Sequence, residues 1–381
     1  MRTNAGGAIW GSLFTICVAL LLIDQRDDPE FIFPISFAAP EHRAPDTNPK
    51  FEAAFVGSHA ETPSVHAGTL TYLKNGSLLA AWFGGTREGA KDVSIYFARR
   101  ESDSQQWSAP VVVASREQTT QELNRYIAKL GNPILFADSR GRVWLFYVTV
   151  SFGGWSGSSI TFRYSDDDGE SWSGAERLVT SPFLNVSTLV KGCPLECKSG
   201  HILLPVYHEF LRKCGELLTI SPDGKLVSKT RLSATHRAIQ PCVVPLNEKA
   251  VRVFYRQNGL ADRMVLTQQI PNVFAPASTA LVATNMVNPD AAVSVIRRNN
   301  KGFLMVCNPL DSGRHKLSLA TSNDGLSWQV IHEIENSAPP SEFSYPYLIQ
   351  GTLGEYHLIY TWNRTKMRYA FFNERWLENA P

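Results

Sequence analysis

The 381 residues are enough for two or three ordinary domains or for one large closed β architecture. Lys plus Arg number 37 against 35 Asp plus Glu, a formal charge of +2, which lacks the basic excess that a nucleic-acid partner needs. A hydrophobic fraction of 44% with 9 Trp, 12 Tyr and 20 Phe excludes a disordered chain and favours strands, because aromatic side chains suit a pleated, half-buried surface.

Residues 8–23, AIWGSLFTICVALLLI, are uncharged, follow Arg2 and precede Asp24, Arg26, Asp27 and Asp28, the charge order of an export signal. The run is long for a signal core and short for an independent span of about twenty residues. Cleavage and retention as a membrane tether through residues 8–23 therefore both stay open. The protein is expected to be exported, whether periplasmic, secreted or anchored facing outward. Residues 1–50 form this segment and a Pro-rich, charged linker, and residues 51–381 form the folded domain. Cys17 lies in the apolar run, and Cys193-x-x-x-Cys197 has no second close Cys or His pair to complete a zinc site. Buried thiols or one disulfide are expected, with neither metal nor cofactor.

After residue 60 the chain repeats itself. Six times a polar turn opens an apolar strand: NGSLLAAWF from Asn75, RGRVWLFYV from Arg140, SGHILLPVY from Ser199, NEKAVRVFY from Asn247, NKGFLMVCN from Asn300 and LGEYHLIYTW from Leu353. The turn positions Gly76, Gly141, Gly200, Lys249, Gly302 and Gly354 are 65, 59, 49, 53 and 52 residues apart. Another apolar run precedes each turn, so each unit begins as a hairpin with room for four short strands. Such units are what a β-propeller blade requires, and no sustained 3.6-residue period with caps predicts a long helix. The expected fold is all-β, a six-bladed β-propeller over about residues 51–375, with FEAAFV from Phe51 pairing on the last blade to close the ring. The chain is expected to act as a monomer.

Two segments share a turn signature. Ser165-Asp166-Asp167-Asp168-Gly169-Glu170-Ser171-Trp172 fits Ser-x-Asp-x-Gly-x-x-Trp, Thr321 to Trp328 fits it with Thr for Ser and Asn for Asp, and a weaker copy ends at Trp107. Short polar side chains there accept backbone N–H bonds, Gly takes a conformation other residues avoid, and Trp packs beneath. Arg99 and Arg100 are expected on a solvated strand edge.

In a propeller the innermost strands converge on the axis, so polar residues at their starts line one pocket. Counting back nine or ten residues from each turn reaches His66, Asn132, Lys191, Gln240 and Tyr345, with Asp290 slightly further from its turn. At the outgoing end of the following strand come Arg87, His208 with Glu209, Arg256, Arg314 and Arg364. Together these predict a cationic cup with a few carboxylates, suited to an acidic glycan or oligosaccharide through fork-shaped guanidinium pairing.

Over about residues 60–372 the chain resembles the sialidase superfamily, specifically bacterial sialidase-like proteins with BNR (Asp-box) repeats. The likeness rests on the Trp-ended turns and on HAGTL, NGSLLAAWFGGTREGAKD and SIYFARR, which are similar to a first sialidase blade. On that pattern Arg87 matches a carboxylate-binding Arg and Asp92 the catalytic acid. Arg256 and Arg314 match the other carboxylate-binding arginines, and Tyr345 in FSYPYL the nucleophile. The resemblance implies retaining hydrolysis of terminal sialic acid without a metal, an exception to the two-carboxylate rule for glycosidases. His66 stands where the family carries its first Arg, and Gln240 where it places the Glu that activates the tyrosine, with Glu209 and Glu342 as substitute bases. Activity is therefore expected to be weak or restricted to unusual acidic sugars. Two alternatives are a propeller lyase on uronate glycans, using His66 or Tyr345 as base, and a non-catalytic glycan-binding propeller.

Overall fold

A computed structural model describes residues 48–57, 62–181, 185–210, 213–233, 237–259, 262–274, 279–298, 301–351 and 354–379. The apolar run at 8–23 and the linker up to residue 47 lie outside the described residues.

Six antiparallel sheets follow one another around an axis. Strand β1 (Phe51–Phe55) comes first in the chain but belongs to the last sheet. The first blade is β2 (Ser64–Tyr72), β3 (Leu78–Gly85), β4 (Ser94–Arg100) and β5 (Val111–Ala114). A short helix α1 (Arg116–Glu122) leads to the second blade, β6 (Lys129–Ala137), β7 (Val143–Val150), β8 (Ser158–Ser165) and β9 (Glu176–Arg177). In the third, β10 (Leu189–Val190) and β11 (Leu195–Glu196) are two halves of one inner strand, both paired with β12 (Ile202–His208), followed by β13 (Cys214–Ile220) and β14 (Leu226–Arg231). The fourth is β15 (Ala238–Pro245), β16 (Val251–Gln257), β17 (Met264–Ile270) and β18 (Val282–Val287). The fifth is β19 (Ser294–Arg297), β20 (Phe303–Cys307), β21 (Lys316–Ser322) and β22 (Gln329–Asn336). The sixth is β23 (Phe343–Gln350), β24 (Tyr356–Trp362) and β25 (Lys366–Phe372), completed by β1 and followed by a helix α2 (Glu374–Glu378). The chain is thus a six-bladed β-propeller closed as the sequence predicts, with Phe51 opposite Phe372 and Phe55 opposite Arg368.

The second strands are continuous apolar runs because each sheet is covered on both faces by its neighbours. LLAAWFGG of β3 and VWLFYVTV of β7 are buried throughout, Trp82 included. The turns that open these strands need left-handed backbone, and Gly76, Gly141, Gly200, Gly302 and Gly354 adopt φ between +78° and +99°. The fourth turn manages without Gly. There the Asn247 side-chain oxygen accepts from the N–H groups of Lys249 (3.0 Å) and Ala250 (2.8 Å).

The Trp-ended turns lie at the opposite end of the blades from the residues predicted to form the pocket. Ser165 Oγ accepts from Gly169 N–H at 2.8 Å, and Asp167 Oδ1 accepts from Ser171 N–H at 2.9 Å. The tryptophans also pack across to the preceding blade, Trp172 on Phe97, Trp328 on Phe254 and Trp107 on Tyr369, while Trp328 Nε1 donates to the Gly325 carbonyl of its own turn at 3.3 Å. Arg99 and Arg100 correct the sequence expectation, since neither sits on a solvated edge. Arg99 reaches Glu170 of the second blade at 2.9 Å, and Arg100 the phenol of Tyr369 in the sixth at 2.8 Å.

Inner strands have N–H groups that no fifth strand can pair, and the preceding blade supplies acceptors. Thr69 and Thr71 accept from Leu135 N–H and Ala137 N–H, and Ser294 accepts from Leu348 N–H. Cys242 Sγ accepts from Val295 N–H at 3.3 Å. Cys193, Cys197, Cys214, Cys242 and Cys307 are all free thiols.

Candidate active site

The inner strands share a defect that builds the pocket. The pairing register slips between His66 and Thr69, between Gly131 and Ile134, between Ile239 and Cys242, and between Ser344 and Tyr347. Each slip is a β-bulge with one residue in left-handed backbone: Ala67 (φ 55°), Asn132 (31°), Gln240 (52°) and Tyr345 (53°). Asp290 (49°) holds the same place just before β19. A bulge adds a residue, bends the strand and re-aims one side chain, here towards the axis. Such conformations cost about 1–3 kcal/mol each and collect at functional sites. In the first blade the residue equivalent to Tyr345 is Ala67, which is the ninth before the turn. His66 lies one place earlier. Lys191 occupies the gap between β10 and β11, so these two depart from strict equivalence.

The bulge residues meet around the half-buried ring of Tyr345. Its phenol oxygen accepts from Gln240 Nε2 and Arg256 Nη1, both at 3.3 Å. Arg256 Nη1 also faces Gln240 Oε1 at 3.4 Å. A guanidinium only donates, so this contact turns the amide oxygen to Arg256 and its NH₂ to the phenol. The same NH₂ and that of Asn132 each donate to the Tyr207 hydroxyl at 3.3 Å. Lys191 Nζ donates to the Pro346 carbonyl at 3.0 Å and lies 5.8 Å from the Tyr345 ring centre and 5.1 Å from that of Tyr347. The His66 ring stands 4.2 Å from that of Tyr345, and Arg314 caps it at 6.0 Å.

The three arginines around the ring already have carboxylates. Arg256 pairs with Asp290 at 2.7 Å, Arg314 with Glu342 at 3.3 Å, and Arg364 with Glu342 at 2.8 Å and Glu88 at 2.9 Å. The predicted cationic cup is therefore close to charge balance, a correction to the sequence reading. Burial works against charge on Glu342, but hydrogen bonds from Arg364 and Ser344 and the two guanidinium charges hold its carboxyl below the usual range. It stays ionised and is a poor base for Tyr345. Burial, then Arg364, Arg314, Lys191 and Arg256, push His66 well below its ordinary value, so the imidazole is neutral. Its Nδ1 is buried without a partner among the described residues. Burial lowers Lys191 to about 8. Burial raises the Tyr207 phenol well above its usual value, with Tyr345 and Glu209 adding to the effect. Arg314 and Glu342 also wall a cleft of about 440 Å³ with Ser312, His315 and Ser341.

The structure thus gathers Tyr345, His66, Gln240, Arg256, Arg314, Arg364, Asn132, Lys191 and Asp290, while Arg87, Asp92 and Glu209 stand apart from these contacts. Glu209, half-buried beside Tyr207, donates its backbone N–H to Ser187. Asp92 is exposed, and its Oδ2 accepts from Thr86 N–H (2.8 Å) and Thr86 Oγ (2.5 Å), closing the loop between β3 and β4. Those bonds hold its carboxyl below the ordinary value. Arg87 is exposed on the same loop, which instead sends Glu88 to Arg364. Sequence reasoning missed Tyr207 and Glu88. The final Tyr of SGHILLPVY was the available signal for Tyr207, and nothing local marks Glu88.

A bulge-lined axial pocket in a six-bladed propeller, with tyrosine at its centre and three arginines around it, is the architecture of a sialidase-like propeller. The BNR repeat-like domain family matches residues 76–358, and the chain belongs to it. None of the curated proteins matches the sequence. Among solved structures the chain is similar to the intramolecular trans-sialidase from Ruminococcus gnavus (TM-score 0.66, 15% identity, covering 86% of this chain and 98% of that one). It is likewise similar to the Hadza microbial sialidase Hz136 (0.65, 14%, 82% and 66%) and to the NanB sialidase from Streptococcus pneumoniae (0.65, 12%, 86% and 71%). At such identities the likeness is one of fold.

Proposed function

We propose that the protein is an exported, sialidase-like glycoside hydrolase of the exo-α-sialidase type, acting on terminal acidic sugars of glycans. The observation that carries the reading is Tyr345: a half-buried phenol on the propeller axis, hydrogen-bonded by Gln240 and Arg256 and capped by Arg314. In this mechanism Arg256, Arg314 and Arg364 hold the substrate carboxylate. The neutral imidazole of His66, whose ring lies 4.2 Å from that of Tyr345, takes the phenol proton as the Tyr345 oxygen bonds to the anomeric carbon and the glycosidic C–O bond breaks, the leaving oxygen takes a proton from the acid, and water later releases the sugar with retention. Asp92 serves as the acid once its bonds to Thr86 open. Because the arginines are already paired, a substrate carboxylate must share them with Asp290 and Glu342, and the amide of Gln240 cannot accept the phenol proton. Turnover of ordinary sialosides is accordingly expected to be slow.

A second reading, a glycan-binding propeller without catalysis, is favoured by Gln240 and by the engagement of Asp92 with Thr86. A glycan panel with product analysis separates them. Free sialic acid supports the hydrolase, an ultraviolet-absorbing unsaturated sugar supports the uronate lyase, and retention without product supports the binding protein. On a hydrolysed substrate Tyr345→Phe is expected to lower kcat by about a thousandfold or more, since the covalent step is lost. Unchanged turnover would sink the tyrosine mechanism.

A further inference from the structure

We propose that the face of the propeller opposite the Tyr345 pocket carries a second saccharide site, a pocket between the first and sixth blades that takes one neutral, hydroxyl-rich sugar ring. Strands β2 and β23 start at the Tyr345 end and finish in the turns at Gly76 and Gly354, so Tyr72, Gly76 and Glu355 stand at the far end. There a pocket of about 160 Å³ opens, with Arg100, His357 and Phe371 also on its walls. Three residues past the turn glycine, Leu79, Trp144, Leu203 and Met305 hold the place of His357 in four other blades, all fully buried, so packing asks only for an apolar side chain. The sixth blade instead buries His357 there and Glu355 two residues earlier. Buried polar groups cost free energy unless they are paired, and these are joined in one chain. Arg100 Nη1 donates to the Tyr369 oxygen at 2.8 Å, the Tyr369 hydroxyl donates to His357 Nδ1 at 2.8 Å, and His357 Nε2 faces Glu355 Oε1 at 3.4 Å. The guanidinium at one end sets the direction of every bond, and burial holds His357 below its ordinary pKa, so the imidazole is neutral. Gly351 makes the room, since a Cβ there would overlap the Glu355 carboxylate.

Size and charge decide the occupant. The pocket is several times the roughly 30 Å³ of one water and smaller than the roughly 300–1,000 Å³ of pockets for drug-sized ligands, which suits a single ring. Among its lining residues Arg100 is the one cation against the carboxylates of Glu101 and Glu355, so phosphate or an acidic sugar is disfavoured, unlike in the arginine-lined axial pocket. Among the described residues no three His, Cys, Asp or Glu side chains gather as a metal site. Vicinal hydroxyls fit instead. A carboxylate accepts from two of them, a guanidinium donates to a third, and the Tyr72 and Phe371 rings offer faces to the C–H groups of the sugar. The walls are set before a ligand arrives, because Glu101 accepts from Ser77 Oγ at 2.8 Å and Arg100 Nε donates to the Ser104 carbonyl at 2.9 Å. A ring held here is not the one that meets Tyr345. The site keeps the protein on a neutral part of a glycan while the axial pocket works on acidic ends, a role that rests on the glycosidase reading above, whereas the pocket itself does not.

The test uses the full chain, with methyl β-galactoside and methyl α-glucoside as probes and calorimetry with ligand-observed NMR as the readout. At least one hexoside is expected to bind with a millimolar Kd. Ser102→Trp, which sets a large ring at the exposed mouth of the pocket and leaves the buried chain alone, is expected to weaken that binding at least fivefold, as is Glu355→Gln. Should Glu355→Gln fail to fold, Ser102→Trp decides. Tyr345→Phe is expected to leave hexoside affinity unchanged within twofold. Binding that survives Ser102→Trp overturns the proposal, and so does a loss with Tyr345→Phe alone, which would place the ring in the axial pocket. No binding of either hexoside overturns it too, as does binding of inorganic phosphate or methylammonium in their place, which would make the pocket one for an anion or an amine. Release of sialic acid from 3′-sialyllactose, measured in parallel, is expected to be the same in Ser102→Trp as in the unaltered protein. No release with hexoside binding intact rejects the hydrolase reading and keeps the second site.

Discussion

Lys191 is a fully buried cation that donates to the Pro346 carbonyl, with Tyr345, Tyr347, Cys193 and Cys242 as its other neighbours. Lowering its pKa from 10.5 to about 8 means that the unfolded chain binds the proton more tightly than the native state does. The penalty, about 3 kcal/mol at 1.36 kcal/mol per unit, is complete below pH 8 and is relieved as pH rises from about 8 to about 10.5. Lys191→Met should therefore stabilise the fold at pH 7 by about 1–3 kcal/mol, with the gain fading by pH 10.5, as urea unfolding would register. A loss of stability at pH 7 would mean that the carbonyl and ring contacts outweigh burial. Glu342→Gln has the opposite character. Its lowered pKa stabilises the fold above the usual carboxylate range and is lost as pH falls through the folded value. Removing the charge leaves Arg314 and Arg364 short of a partner, at a cost of about 1–3 kcal/mol, and frees both for a ligand. N-acetylneuraminic acid should bind severalfold more tightly to the variant, and weaker binding would count against those arginines as its partners. At this scale the polar residues of the axis were legible, because Asn132, Gln240 and Tyr345 interrupt apolar strands and Lys191 and Asp290 hold matching places beside theirs. Their pairings were not, since Gln240 and Tyr345 are 105 residues apart and Glu88 and Arg364 are 276 apart.

Between residue and molecule stands the interrupted inner strand. The turns at its far end announce themselves with Gly because only Gly enters left-handed backbone freely. The bulges do so less clearly, since their left-handed positions hold Ala67, Asn132, Gln240, Asp290 and Tyr345, each chosen for its side chain or its fit rather than its backbone. That is why counting by polarity selected His66 where the geometry selects Ala67. The third blade carries the largest interruption, and Gly192 shows how tightly it is packed. A Cβ there would lie 2.2 Å from the Pro241 carbonyl and 2.8 Å from Pro205. The first contact is backbone and cannot swing away. Gly192→Ala should cost about 1–3 kcal/mol by overpacking and displace both Lys191 and the Gln240–Pro241 bulge, lowering glycan affinity along with stability. Full stability in a denaturant titration would show that the gap between β10 and β11 yields.

For the molecule as a whole, the repeat of turn and strand was legible because every blade must solve the same packing problem, and closure was legible because an open ring would leave two edges. The closing strand can be tested at single hydrogen bonds. Val56 N–H bonds the Met367 carbonyl at 2.9 Å, next to the Phe55–Arg368 pair. In an antiparallel ladder alternate residues share this orientation, so the N–H of Ala54 points at β25 opposite Tyr369 and that of Ala53 points away. Both side chains are exposed, so packing differs little between them. Ala54→Pro should remove a ladder bond and cost about 1–3 kcal/mol, whereas Ala53→Pro, placed where an edge tolerates proline, should cost less than about 1 kcal/mol. The loosened edge of β25 would also offer its free N–H and C=O groups to other chains, so Ala54→Pro is expected to self-associate on size exclusion at concentrations where the unaltered protein does not. Equal melting temperatures for the two variants would mean that the register of β1 on β25 is not what holds the first and last blades together.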